Sequence, residues 1–256
     1  MQPERFTARR VTHTFGKEKT KRATSSRAAI LIGAHLLLLV AMITNPTATR
    51  ILCYGDSNTW GDRQELATDQ RWTGILQQSF GEQAEIIEEG MCARTTNLDD
   101  KHDRNGLTYF YPCIKSHNPL DGIVIMLGTN DLKIKFGEPS PAQVVNGLRA
   151  YIEAIQKCAR NKQDQTPHVL LVSPIHIAGG TPSFDELYAD DFSQASIKAS
   201  TQLAPEIQKL AATSKCLFLD AATVANAGDD GLHIDVAGHK ALGEAIAATI
   251  KDWIHV

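Results

Sequence analysis

Five short apolar segments, separated by stretches of helical periodicity, constrain the fold of this chain most. They lie at residues 50–54, 85–89, 122–127, 168–173 and 216–219. The third is the continuous apolar run Gly-Ile-Val-Ile-Met-Leu, which is typical of a strand buried on both faces. Strands that alternate with helices form parallel sheets through right-handed crossovers. The sequence therefore predicts an α/β fold, a three-layer α/β/α sandwich around a five-stranded parallel sheet.

The intervening segments carry helix signals. Ser140 and Pro141 suit the N-cap and first position of a helix, and Pro205 predicts a kink or break within another. The predicted helices cover residues 71–80, 140–160, 190–214 and 237–254. Two less regular segments, 98–112 and 179–191, are expected to shape a pocket, and the first supplies Tyr109, Phe110, Tyr111 and Pro112 as its wall.

Composition excludes several classes of protein. The net charge of −3 and the 6% aromatic content argue against a nucleic-acid partner. Of the 256 residues, 43% are hydrophobic, enough for a core that needs no disulfide or metal. The five cysteines are odd in number and include no Cys-x-x-Cys pair, so we predict no zinc site and no cofactor.

The N-terminal part differs from the rest. Residues 1–27 are basic, and residues 28–44 form an apolar run without Asp, Glu, Lys or Arg. This order is typical of a signal peptide or membrane anchor, which predicts an exported or inner-membrane-anchored protein. Alternatively, translation begins at Met42 and the protein is cytoplasmic. We therefore divide the chain into a leader, 1–49, and a globular domain, 50–256.

Polar residues follow three of the predicted strands. They are Gly-Asp-Ser at 55–57, Gly-Met-Cys-Ala-Arg at 90–94 and Gly-Thr-Asn-Asp at 128–131. The carboxyl ends of parallel strands meet at one edge of the sheet, where ligands bind. Each run alone also suits an ordinary turn or helix cap. Backbone N–H groups of the first two runs and the Asn130 amide are candidate oxyanion donors.

Near the C-terminus, Asp230 and His233 stand three residues apart. Together with Ser57 they supply the three side-chain types of an activated serine nucleophile. Each residue alone is weak evidence, because a single histidine is usually structural. The combination with three strand-end runs indicates acyl-transfer chemistry.

These motifs resemble the SGNH hydrolases, also called GDSL-type esterases. Residues 55–59, 128–131 and 230–233 match the first, third and fifth blocks of that family. The resemblance covers about residues 50–254. Longer runs resemble its arylesterase/acyltransferase branch, namely residues 51–61, 71–74, 87–97 and 119–133. The resemblance implies the flavodoxin-like SGNH fold.

The resemblance also implies roles for individual residues. Ser57 is the nucleophile, His233 the base and Asp230 its orienting partner. Ser57, Ala93 and Asn130 supply the oxyanion hole. The implied activity is hydrolysis of small acyl or aryl esters through an acyl-enzyme, with acyltransferase side activity. A small-molecule ester substrate and a homo-oligomer are likewise implied.

Two positions depart from the family pattern. Ala93 stands where most members have glycine, and Asp62 stands where acyltransferases tend to have an aromatic residue. Asp62 therefore argues against a water-shedding acceptor site. The residues expected to line the substrate pocket are Asp56, Asn58, Trp60 and Cys92.

A second class of function stays open. The chain is alternatively an inactive, membrane-tethered carbohydrate-binding member of the fold. A binding module has no need of the complete set of Ser57, Asn130, Asp230 and His233, so the sequence favours the enzyme.

Overall fold

The computed structural model describes residues 47–62 and 66–254. The predictions for the leader, including its apolar segment at 28–44 and the start at Met42, fall on residues outside this part, apart from 47–49. Among the described residues, no helix combines the length and apolarity needed to cross a bilayer.

A single sheet of five parallel strands forms the centre of the described chain. Its strands are β1 (Thr49–Gly55), β2 (Ala84–Gly90), β3 (Gly122–Met126), β4 (His168–Ser173) and β5 (Leu217–Asp220). Their order is β2-β1-β3-β4-β5. In register, Gly55 pairs with Gly90 on one side and with Met126 on the other. The carboxyl ends of β1, β2 and β3 therefore lie side by side, as predicted.

Helices cover both faces of the sheet. They are α1 (Ser57–Trp60), α2 (Trp72–Phe80), α3 (Gly106–His117), α4 (Pro141–Cys158), α5 (Pro182–Tyr188), α6 (Gln194–Ser200), α7 (Leu203–Ser214) and α8 (Val236–Ile250). Helix α2 packs on α8, and α4 packs on both α3 and α7. The predicted three-layer α/β/α fold with a five-stranded parallel sheet is thus confirmed.

The two faces of the sheet belong to two hydrophobic cores. In β1, Leu52 and Tyr54 join the core beneath α3, α4 and α7, whereas Ile51 and Cys53 join the core beneath α2 and α8. All four side chains are completely buried. Successive side chains of a strand point to opposite faces, so a strand covered on both sides has to be apolar throughout. This is why β1 and β3 stand out in the sequence.

The connections differ in part from the sequence predictions. The helix predicted over residues 190–214 begins only at Gln194, but its expected break near Pro205 is present between α6 and α7, at residues 201–202. Pro205 lies in the first turn of α7, where its missing N–H has no helical partner to lose. The 98–112 segment becomes helical from Gly106 onwards, as the start of α3, and Phe110 lies in the core. The 179–191 segment also contains a helix, α5.

Candidate active site

Ser57 begins helix α1 at the carboxyl end of β1. Asp56 is the N-cap of this helix and accepts the N–H of Asn58 at 3.0 Å. A Cβ atom on Gly55 would lie 2.0 Å from Oγ1 of Thr59, so only glycine lets the helix start so close to the strand. This turn leaves Ser57 at the sheet edge with 7% of its surface exposed.

Asp230 and His233 lie in a tight turn between β5 and α8. Oδ1 of Asp230 accepts the backbone N–H groups of Leu232 and His233, each at 2.9 Å. Gly231 has a φ of +72°, and a Cβ atom there would lie 2.1 Å from the carbonyl oxygen of Ala178. The turn therefore requires glycine and holds the carboxylate beside the imidazole.

Hydrogen bonds connect the three side chains in series. His233 Nε2 lies 2.9 Å from Ser57 Oγ, and His233 Nδ1 lies 2.7 Å from Asp230 Oδ2. Burial raises the pKa of Asp230, but hydrogen bonds from the His233 ring and from the turn's N–H groups outweigh it and lower that pKa to about 2. A permanent carboxylate fixes the imidazole so that Nε2 can accept the serine proton.

Tyr188 is a neighbour of this series that the sequence analysis missed. Its hydroxyl lies 3.5 Å from Asp230 Oδ2 and 3.4 Å from His233 Nδ1. The Tyr188 and His233 rings make an edge contact, with centroids 6.0 Å apart. Tyr188 ends α5, in the segment that the sequence analysis treated as irregular. No motif marks it, because its position depends on how α5 packs.

Asp56 and Asn58 were expected to line the substrate pocket, but their side chains are buried within the protein. Asn58 donates to the Leu232 carbonyl at 3.3 Å and accepts the Ile234 N–H at 2.8 Å, which ties α1 to the turn that carries His233. Asp56 is 1% exposed. Both side chains bond within the protein, because buried polar groups require such partners. Their contacts position the two turns that carry Ser57 and His233.

The three candidate oxyanion donors lie at the ends of neighbouring strands. Asn130 follows β3, and its side-chain amide donates to Asp56 Oδ2 at 3.4 Å. In the described part of the chain, the backbone N–H groups of Ser57 and Ala93 donate to no protein acceptor. Ala93 has a φ of +60°, which turns the backbone sharply after β2. Free N–H groups of this kind can stabilise a developing negative charge.

Two further buried residues, neither of them predicted, brace this region. Arg94 donates to the carbonyls of Gly55, at 2.8 Å, and Glu89, which fastens the end of β1 to the end of β2. Asp131 accepts the backbone N–H of Thr96 through both carboxylate oxygens and also accepts its hydroxyl. Both carboxylate oxygens of Asp131 therefore bond to the 91–97 turn. Asp131 thereby holds that turn against the segment that follows β3.

The rim of the site contains Trp60, Asp62 and Cys92. Trp60 is 44% exposed, and the Arg71 guanidinium carbon lies 5.5 Å from its ring centre. Burial, followed by the nearby Asp62 carboxylate, raises the pKa of the Cys92 thiol to about 11. Cys92 is therefore a neutral thiol and a poor nucleophile.

A cavity of the described part of the chain lies away from the candidate site. A cavity of about 600 Å³ opens among Pro167, His168, Cys216, Leu217 and Trp253, beside the amino-terminal ends of β4 and β5. It contains none of the candidate site residues. Ligands of open α/β sheets bind at the opposite, carboxyl edge.

The residues of the candidate site include no metal-ligand set, but one occurs nearby. Glu89, Cys113 and His117 bring potential ligand atoms within 4.8 Å of one another. The sequence analysis predicted no metal site because it considered only cysteine pairs. The i,i+4 spacing of Cys113 and His117 was the available signal, since it places both on one helix face.

Comparison with known proteins agrees with this geometry. Residues 53–241 match the model of the GDSL-like lipase/acylhydrolase family. An aryl esterase from M. smegmatis is 37% identical, with a TM-score of 0.71, and the match covers 80% of this chain and 100% of that one. No curated protein sequence matches the chain.

Two structures from Sinorhizobium meliloti are also similar. A carbohydrate acetylesterase family member is 30% identical, with a TM-score of 0.74, over 81% of this chain and 100% of that one. Est24, a carbohydrate acetylesterase, is 35% identical, with a TM-score of 0.71, over 80% and 99%. The family model covers well over half of this chain, so the protein belongs to the GDSL-like lipase/acylhydrolase family, the SGNH hydrolases, and is a carboxylic ester hydrolase.

Proposed function

We propose that the enzyme hydrolyses small short-acyl and aryl esters through a covalent acyl intermediate on Ser57. The observation that carries this proposal is the continuous series Ser57 Oγ–His233 Nε2 and His233 Nδ1–Asp230 Oδ2, at 2.9 and 2.7 Å. In such a series the base, its orienting carboxylate and the nucleophile are already within hydrogen-bond reach of one another.

The first half of the reaction forms the acyl-enzyme. Ser57 Oγ attacks the ester carbonyl carbon while His233 Nε2 takes the hydroxyl proton. The carbonyl oxygen becomes an oxyanion, which accepts hydrogen bonds from the N–H groups of Ser57 and Ala93 and from the Asn130 amide. As the intermediate collapses, the bond to the leaving alcohol breaks, and His233 returns the proton to that alcohol.

The second half releases the acid. Water attacks the acyl carbon, gives a proton to His233, and the second tetrahedral intermediate expels Ser57, which regains the proton. Throughout, the negative charge of Asp230 stabilises the imidazolium. Its lowered pKa, about 2, keeps this charge present at every pH at which the imidazole works as a base.

The surroundings of His233 favour a short acyl group. Tyr188 contacts the His233 ring, and its neighbour on α5, Phe184, stacks at a tilt with a centroid distance of 5.9 Å. Both side chains are almost fully buried and fill the space on that side of the base. We infer a preference for acetyl to butyryl esters over octanoyl esters, with the aryl or sugar part of the substrate near exposed Trp60.

We further infer that hydrolysis predominates over acyl transfer to alcohols. Asp62 places a carboxylate beside Cys92 at the rim, where an ionic group retains water. We expect Asp62→Phe to raise the ratio of transfer to hydrolysis and Asp62→Asn to have a smaller effect, measured with 4-nitrophenyl acetate and a primary alcohol. A ratio unchanged by both substitutions would contradict this role of Asp62.

The proposal is tested with 4-nitrophenyl esters of increasing acyl length. We expect Ser57→Ala and His233→Ala each to lower kcat by about 10³-fold or more, and the double variant to lose little extra, because the residues act as a unit. Ser79→Ala, which alters an exposed helical serine, serves as the matched control. A fluorophosphonate probe should label the wild type and Ser79→Ala but not Ser57→Ala.

Other outcomes would count against the proposal. Activity retained in Ser57→Ala would exclude the serine mechanism. A preference for octanoyl esters would exclude the short-acyl pocket and would indicate a lipase or lysophospholipase instead.

A further inference from the structure

Three side chains of different chemistry meet where β2 approaches α3. Glu89 is the penultimate residue of β2, while Cys113 and His117 lie one turn apart on α3. One ligand atom from each, a carboxylate oxygen, Sγ and an imidazole nitrogen, lies within 4.8 Å of the other two. None of the three belongs to the proposed catalytic set.

The donor set indicates which ion would fit. Oxygen, thiolate sulfur and imidazole nitrogen are the three ligand types that zinc uses, at about 2.0–2.3 Å and in tetrahedral geometry. Calcium and magnesium instead require several oxygen ligands. We propose that Glu89, Cys113 and His117 form a zinc-binding site, with water as the fourth ligand.

The site is both prearranged and accessible. His117 Nε2 already lies 2.9 Å from Glu89 Oε1, so the two side chains converge on one point. The Cys113 side chain is buried, while those of Glu89 and His117 keep 19% and 27% of their surface exposed. An ion can therefore enter from the solvent and reach the thiol. The Tyr109 hydroxyl, 3.5 Å from Glu89 Oε1, borders the same site.

Binding changes the bonding of the cluster in a defined way. The zinc–sulfur bond forms as the Cys113 thiol loses its proton to the solvent, and the Glu89–His117 hydrogen bond is replaced by two bonds to the ion. Arg94 opposes binding by its positive charge, since it also contacts Glu89, through the backbone carbonyl. Two anionic ligands, a carboxylate and a thiolate, outweigh this single cation.

The site lies next to the turn that carries an oxyanion donor. Glu89 is followed by Gly90 and then by the 91–94 turn, and its carbonyl is one of the two anchors of Arg94. An ion that joins Glu89 to α3 would therefore brace the base of this turn. Its effect is on stability, because a ligand that binds only the folded state raises the free energy of unfolding.

The site is tested with cobalt, a spectroscopic substitute for zinc, on the full-length protein after treatment with EDTA. We expect cobalt to produce a thiolate-to-metal charge-transfer band that an equimolar amount of zinc abolishes. Cys113→Ser should remove the band, and His117→Gln should weaken zinc binding by about tenfold or more. The matched control, Cys158→Ser, removes a half-buried thiol of α4 and should leave the band unchanged.

The alternative is that Glu89 and His117 form only an ion pair. In that case cobalt gives no charge-transfer band, or gives one that survives Cys113→Ser, and either result overturns the proposal. His117→Gln, at a partly exposed position, covers the event that Cys113→Ser does not fold. Zinc should also raise Tm in the wild type and Cys158→Ser but not in His117→Gln, and an equal rise in all three would place the ion elsewhere.

Discussion

Ala93 shows how much a single backbone position matters in this site. With a φ of +60°, it occupies a region that costs an L-residue roughly 1–2 kcal/mol relative to glycine. The oxyanion donor proposed at this position is a backbone N–H group, which alanine also possesses, so alanine keeps the donor at the cost of this strain. The family's usual glycine is therefore explained by conformation.

We expect Ala93→Gly to keep the activity and to raise the free energy of unfolding by up to about 1 kcal/mol, the relieved strain less the extra freedom of glycine in the unfolded chain. Chemical denaturation measures the change. Ala150→Gly, in the middle of α4, is the control and should lose about 1 kcal/mol. If both variants lose the same amount, Ala93 is not strained.

Asn130 is the other position at which a single group can be removed cleanly. We expect Asn130→Ala to lower kcat by about 10²–10³-fold with little change in KM, because an oxyanion donor acts mainly in the transition state. Asn146→Ala, at an exposed site on α4, should have no effect. A raised KM with an unchanged kcat would make Asn130 a binding residue.

Ser57, Asn130, Asp230 and His233 could be selected from the sequence because each follows a recognisable motif. Their supports could not. Tyr188, Asn58 and Asp131 act through contacts between segments far apart in the chain, such as the Asn58 bonds to Leu232 and Ile234. Residue spacing within one segment contains no information about such contacts.

At the scale of elements, the junction of α2 and α8 contains a buried histidine. His239 Nδ1 accepts the backbone N–H of Trp72, the first residue of α2, at 3.2 Å. Burial lowers the pKa of His239 to about 4, and Arg71 adds to the effect. The ring is therefore neutral in the folded protein and acts as a cap for a neighbouring helix.

This cap makes stability depend on pH. The unfolded chain binds a proton at His239 near pH 6.5, and the folded chain only near pH 4. The contribution of neutral His239 to the free energy of unfolding is therefore complete above pH 6.5 and is lost as the pH falls towards 4. We expect the wild type to lose about 1–2 kcal/mol relative to His239→Gln between pH 7 and 5. Denaturation at both pH values tests this.

The buried carboxyl group of Asp131 changes the stability with pH in the opposite direction. Burial raises its pKa to about 7, so its contribution decreases as the pH rises from about 4 to 7. The comparison with His239→Gln isolates the histidine, because both proteins contain Asp131. His176→Gln, at an exposed position, should follow the wild type at both pH values. A wild-type loss no greater than that of His239→Gln would contradict the cap.

Elements were predictable where one pattern dominates. Residues 168–173 were predicted as a strand and form β4, because apolar residues flanked by polar ones have few alternatives. Helix α3 was missed because Pro112 lies inside it, and proline normally argues against a helix interior. The tertiary packing of Phe110, Cys113 and Ile114 on the core compensates for the lost hydrogen bond.

At the scale of the whole molecule, β1 is the second of five strands, between β2 and β3. The regular alternation of strand and helix was enough to predict this architecture. The order of the strands was not predicted, because segment patterns alone do not fix which strands are neighbours.

We expect a chain that starts at Met42 to fold and to hydrolyse esters at the rate of the full-length protein. The first strand begins at Thr49, and the residues of the proposed site all lie beyond it. Soluble yield and 4-nitrophenyl acetate turnover compare the two forms. An insoluble or inactive product would show that residues 1–41 contribute to the fold.

Ser57 and His233 are separated by 176 positions, and the Asn58 bonds join the same two distant segments. The proposed nucleophile and the proposed base therefore lie in different halves of the chain. A cut in the exposed turn at 162–166 would leave the nucleophile on one fragment and the base on the other. If these fragments were fused to two other proteins, colour from a chromogenic ester would appear only when those proteins met, which makes this fold a starting point for a fragment-complementation sensor.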